Sequence, residues 1–216
     1  LPTDHRRPAI QSFQGASVPV LFSATQLEAL GALSERSGAT LSMILVSIWQ
    51  AFLHRYSRQS TVVTGSVVAG GDSGGSRDGA GVVALRSDFG DGLSAGELLS
   101  QVKGTVLGAR DHLSVPFAEV LAALKLPGDP ARAPLIQTFV VLHPRAEFEG
   151  DSGGGGNRGP VLPAWGAPFD LKLEMSERGE VLEGTLEYDA SLFERATVER
   201  MVGHLHCLAD GMCGDL

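Results

Sequence analysis

Leu135-Ile136-Gln137-Thr138-Phe139-Val140-Val141-Leu142 is a continuous apolar run of strand length. A strand with one wet face alternates polar and apolar residues; one covered on both faces does not, so this run reads as a strand inside a covered sheet. Downstream, Phe169 to Met175 and Val181 to Tyr188 alternate strictly around Glu177-Arg178-Gly179, which predicts a hairpin. Upstream, Val18, Val20 and Phe22 alternate, and Ser23 offers an N-cap to a helix with Leu27, Leu30 and Leu33 at helical spacing as far as Gly38. Thr40 caps the next segment, Leu41 to Tyr56, whose apolar residues run nearly all round, as in a buried helix. Thr61 to Val68 is short and β-branched, and Val82 to Phe89 reads as a further strand. Ser94 opens a helix to about Arg110, Val115-Pro116 a shorter one to Leu124, and the last runs from about Glu194 to Met212. Helices mixed with strands, some fully apolar and some half-exposed, predict one α/β sandwich over residues 1–216 with a mixed sheet flanked by helices. Ala146 to Ala164, centred on Gly153 to Gly156, is expected to be a flexible surface loop within it.

Composition narrows the function. The 216 residues are 43% hydrophobic and 19% charged, and 17 Lys+Arg against 25 Asp+Glu leave a net charge of −8. That is too apolar for disorder and too acidic for non-specific nucleic-acid binding, which needs clustered Lys and Arg. Two cysteines, Cys207 and Cys213, make no disulfide framework, so a reducing cytoplasmic compartment is expected. The longest apolar stretch, Leu41 to Leu53, is broken by Ser42, Ser47 and Gln50 and falls short of the ~20 residues of a membrane span. No basic stretch followed by an apolar one suggests a secretory signal. The chain begins with Leu1, so it is expected to be a piece of something longer.

Three motifs imitate chemistry. Gly71-Asp72-Ser73-Gly74-Gly75 resembles the nucleophile loop of trypsin-like serine proteases, and Gly150 to Gly154 spells it again. Catalysis there needs a His base and a buried Asp; His54 lies in an apolar helix beside Arg55, and two copies in Gly/Ser-rich loops are what biased composition produces. His204-Leu205-His206-Cys207-Leu208-Ala209-Asp210-Gly211 nearly spells the His-His-x-x-x-Asp-Gly acyl-transfer motif, but it falls in an amphipathic helix with Val198, Met201, Leu205 and Leu208 as its stripe. His204, His206, Cys207 and Cys213 share one helix and cannot close a tetrahedron, so no metal site is expected.

Taken in order, several stretches resemble the C-terminal half of the condensation domains of non-ribosomal peptide synthetases. The opening Leu1-Pro2-Thr3-Asp4-His5-Arg6-Arg7-Pro8 with Ser12-Phe13-Gln14-Gly15-Ala16 looks like the crossover between that family's two lobes. Gly38-Ala39-Thr40-Leu41-Ser42-Met43 leading to Leu53-His54-Arg55-Tyr56-Ser57 is similar to the long buried helix of the second lobe. Leu85-Arg86-Ser87-Asp88, His112 to Phe117 and Ala133 to Gln137 resemble the family's fifth, sixth and seventh motifs. Phe169-Asp170-Leu171, Leu186-Glu187-Tyr188-Asp189, Leu192-Phe193 and Glu199 to His204 follow in family order. The resemblance implies a chloramphenicol-acetyltransferase-like lobe, one arm of a V whose channel receives carrier proteins from opposite ends. It implies a base on a first lobe that is absent here, and a broad face packed on a following adenylation domain.

Departures from the pattern fall on polar channel positions. Pro-Val-Ala-Gly-Arg reads Val67-Val68-Ala69-Gly70-Gly71; Phe-Val-Asn-Thr becomes Gly79-Ala80-Gly81-Val82; the sixth motif's Gln-Asp is Leu113-Ser114; and the Gln-Asn after the seventh is His143-Pro144. Gly71, Gly81, Ser114 and His143 are therefore the channel-lining candidates, with no catalytic residue and no bound cofactor, the phosphopantetheine arm being carried by a partner carrier protein. Two functions follow. One is a truncated, non-catalytic half-domain serving as platform for its adenylation neighbour; the other is the excised second lobe of an active, amide-forming condensation domain. A platform implies apolar groups left exposed for a partner to cover, expected around Phe13, near Leu162 and Trp165, and at Leu192-Phe193.

Overall fold

The computed structural model describes residues 1–70, 80–143 and 169–214. Gly71, the two glycine-rich protease-like strings, the expected loop at 146–164, Leu162 and Trp165 lie outside those residues. Among the described residues eleven elements follow in order: β1 (Gly15–Phe22), α1 (Ala24–Ser37), α2 (Leu41–Ser57), β2 (Thr61–Ala69), β3 (Ala80–Asp88), α3 (Ala95–Arg110), α4 (Phe117–Leu124), β4 (Thr138–His143), β5 (Leu171–Arg178), β6 (Val181–Asp189) and α5 (Arg195–Gly214).

Local chemistry sets the helix ends. Ser23 and Ser94 each close a capping box, with Gln26 and Glu97 reaching back to the cap N–H, and Thr40 Oγ1 accepts the Met43 N–H at 3.3 Å. Gly38, at φ 61°, ends α1 in the left-handed region. The six strands are ordered β1-β6-β5-β4-β2-β3. β4 runs parallel to both β2 and β5, while the other pairs are antiparallel. The expected mixed sheet is what forms.

Strand parity divides the interior in two. Val18, Val20, Phe22, Val140, Leu171, Leu173, Met175, Leu182 and Leu186 face α1, α2, α3 and α5 in the main core. On the opposite face Phe139 and Val141 join Val67, Val82 and Ala84, with Phe117 of α4 above them. β4 is thus covered on both faces, as its unbroken apolar run requires. α2 crosses the middle of the main core, and Trp49 Nε1 donates to Thr64 Oγ1 at 3.1 Å. Gln50 donates to the Leu85 carbonyl and accepts from Ser87 Oγ, so these buried polar groups are satisfied. β1 is an edge strand and carries Pro19, which blunts the edge against pairing with other chains.

The structure corrects three expectations. The strand of the decisive run begins at Thr138, because Leu135 adopts φ 65° and the Ile136 N–H donates to the Pro134 carbonyl at 2.7 Å in a tight turn. The hairpin turns at Gly179-Glu180 rather than at Glu177 to Gly179; a positive φ at the first of two loop residues suits the twist of the flanking strands. Leu192 and Phe193 are 0% and 1% exposed, not open. The Asp189 carbonyl accepts both of their N–H groups, and this turn folds them under α5 into the core. Phe13, in contrast, is 53% exposed, as expected.

Candidate functional site

The face of β4, β5 and β6 turned away from the main helices carries a row of ionisable groups. Alternation puts Lys172 and Glu174 on that face of β5, and pairing registers Val141 with Glu174 and Lys172 with Glu187. His143 Nε2 lies 2.7 Å from Glu174 Oε1. Lys172 Nζ donates to Glu174 Oε2 and stands 3.4 Å from Glu187 Oε2. The side chains of His143 and Lys172 are only 12% and 16% exposed, while those of Glu174 and Glu187 reach 33% and 39%, so the basic groups are sheltered and the carboxylates meet solvent.

The His143 hydrogen bond, opposed by burial and helped by the Lys172 ammonium, lowers the Glu174 carboxyl to about 2. An ionised carboxylate can only accept, so the imidazole presents a proton on Nε2 to it. The cluster orients a histidine and holds a carboxylate charged. A carboxylate lowered on folding stabilises the fold above its unfolded value of 4.5 and loses that contribution as pH falls from 4.5 towards 2. Thermal melts between pH 6 and pH 2 should therefore show an acid-side loss that Glu174→Gln largely removes. An unchanged acid limb in the variant would contradict this assignment.

The described channel candidates fall on both faces of the sheet. His143 is on the face away from the main helices. Gly81 alternates to the helix side, where an added Cβ would stand 3.1 Å from Leu113 Cδ2. Ser114 is exposed in the turn before α4, one residue from that Leu113. The terminal-helix histidines are elsewhere again: His204 Nδ1 shares a 2.6 Å hydrogen bond with the Tyr56 hydroxyl, and the His206 ring packs 4.7 Å from that of Phe22. Among the described residues no three His, Cys, Asp or Glu side chains gather as a metal site.

Sequence reasoning alone does not reach Lys172, Glu174 and Glu187. Spacing at i, i+2 in an alternating strand puts the first two on one face, but only the register with β4 brings His143 to them. A concavity of about 810 Å³ lies on the helix side between α2, α5 and the turn leading into α3, lined by His54, Arg55, Phe89, Cys207 and Met212 among others.

The Condensation domain family model matches residues 1–213. The chain belongs to the condensation-domain family. A linear gramicidin synthase of Brevibacillus parabrevis is 36% identical over 96% of this chain, and Malpinin synthetase of Mortierella alpina is 34% identical over 100% of it. The chain spans only 4% and 3% of those two proteins. Among solved structures, the X-domain in its complex with OxyB from teicoplanin biosynthesis superposes with a TM-score of 0.83 at 25% identity, over 100% of this chain and 49% of that one. A four-domain nonribosomal peptide synthetase bound to AMP and glycine gives 0.83 at 22% identity, over 99% of this chain and 18% of the other. This condensation-family chain therefore corresponds to about half of an X-domain and has the chloramphenicol-acetyltransferase-like fold.

Proposed function

We propose that this chain is the second, C-terminal lobe of a peptide-synthetase condensation domain, acting as a non-catalytic platform for the adjacent adenylation domain. The observation that carries the reading is the split of its channel positions: Gly81 and His143 face opposite sides of the sheet, and the exposed Ser114 is the neighbour of the Leu113 that meets Gly81. Amide formation from a thioester needs a base within hydrogen-bond reach of the attacking amine. In the family that base comes from the first lobe. Here the phosphopantetheine arm belongs to the partner carrier protein, and the working compartment is the cytoplasm.

The intact core fits this role, since packing rather than channel chemistry is what a platform needs. The X-domain's complex with OxyB is a precedent for a domain of similar fold engaging another protein. The second reading, the excised lobe of an active amide-forming domain, is favoured by the relatives named as gramicidin and malpinin synthetases.

A tethered neighbour acts at an effective concentration of roughly mM, and binding to the folded state alone raises its stability. Fused to the adenylation domain of its own synthetase, the lobe should melt several degrees higher than in an unlinked, dilute mixture. Identical melting temperatures in the two formats would reject the platform.

A further inference from the structure

Residues 1–14 have no regular structure, yet they are stitched along one end of the sheet. Asp4 accepts the Glu194 N–H at 2.8 Å and the Thr197 hydroxyl at 3.0 Å, tying the chain to the start of α5. Ser12 Oγ reaches Asp189 at 3.3 Å and Ser191 at 2.9 Å, beside the end of β6. Between these ties stands Arg7. Its guanidinium binds both carboxylate oxygens of Asp170, and the same Nη1 that donates to Oδ1 at 2.9 Å donates to the Ala131 carbonyl at 3.1 Å. The Gln11 N–H donates to the Pro130 carbonyl at 2.9 Å.

The two ends of that fork differ in rigidity. The Asp170 side chain is 8% exposed. Its N–H donates to Gln137 and its carbonyl accepts from Asp189, so it is fixed where β4, β5 and β6 meet. Pro130 and Ala131 are instead the root of the excursion 111–130, of which α4 is the centre. α4 buries none of its residues, and Val115, Val120, Leu124 and Leu126 stand 37–49% exposed. An eight-residue helix without burial has little stability of its own. Phe117, packed in the smaller apolar cluster, gives the arm a single aromatic foothold on the sheet.

We propose that Arg7 is a pin by which the segment 1–14 fixes the arm 111–130 to the sheet, so that the arm follows the position of the strand-entering chain. One guanidinium bridges a rigid acceptor and the arm's root. Displacing the entering segment releases the arm and its exposed apolar residues without opening the main core. A lysine offers no planar fork and cannot hold both acceptors in the same way.

Hydrogen exchange of the whole chain, read peptide by peptide, tests the pin. In Arg7→Gln, amides of residues 111–136 should exchange about tenfold faster, while those of α2 stay within about twofold of the parent. Arg7→Lys, which keeps the charge beside Asp170, should give a smaller rise confined to the same peptides and serves if the glutamine variant does not fold. Ser12→Ala loosens the same segment at Asp189 and Ser191 and should leave the arm unchanged. Unaltered arm exchange in both Arg7 variants overturns the proposal. So does an equal acceleration of arm and α2, which would make the pair a general brace, or an arm released as strongly by Ser12→Ala.

Discussion

Gly184→Ala is expected to lose about 3 kcal/mol of stability, close to 9 °C in melting temperature at this chain length. The cause is a close approach of backbones between the hairpin strands. A Cβ at this position stands 1.9 Å from the Glu174 carbonyl oxygen and 2.8 Å from Met175 Cα. Neither neighbour is a flexible side-chain end, so β5 and β6 must separate to admit a single methyl. Separation there also disturbs the strand that carries Lys172 and Glu174. Gly203, on α5 with open space around it, is the matched control. Its alanine variant gains helix propensity and should be as stable as the parent or better by up to about 1 kcal/mol. Differential scanning calorimetry of the pair decides the matter; equal melting temperatures for Gly184→Ala and the parent would show that the strands are not in such close contact.

Trp49→Ala should cost about 4 kcal/mol, within the range for deleting a buried aromatic side chain. Trp49 is fully buried, stacks on Phe52 with ring centroids 5.3 Å apart, and donates through Nε1 to Thr64 Oγ1. Thr64 in turn hydrogen bonds Thr138 of β4, so the indole links α2 to both β2 and β4. Trp49→Phe keeps most of the ring and loses the N–H, and should cost about half as much or less. Urea denaturation followed by circular dichroism separates the two variants. A phenylalanine variant as unstable as the alanine one would mean that the hydrogen bond, not the packed ring, dominates.

The elements are legible in the sequence because each rests on local chemistry. Ser23, Thr40 and Ser94 announce their helices through side-chain caps, and the unbroken Phe139-Val140-Val141 run announces a strand with apolar groups on both faces. Strand order is not legible, because the β1–β6 and β2–β4 pairings join segments far apart in sequence. Leu192 and Phe193 defeat the reading for a similar reason: an apolar pair after a strand can face either way until the Asp189 turn fixes it. α4 defeats any inference from apolarity to burial, since its sequence is that of a core helix and none of its residues is fully buried. Of the candidate site, His143 is reached through its family position. Its partner Glu174 becomes visible only through register, and Arg7 and Asp170 meet across most of the length of the chain.

This lobe is expected to form no amide bond by itself. The direct measurement mixes the isolated chain with an aminoacyl-loaded donor carrier protein and an aminoacyl-loaded acceptor carrier protein, then weighs the acceptor's thioester by mass spectrometry. Aminoacyl and no dipeptidyl thioester above the rate without the chain is the expected result. Dipeptidyl product that requires the chain and disappears on His143→Ala or His206→Ala would contradict it, and would place the missing base within this lobe.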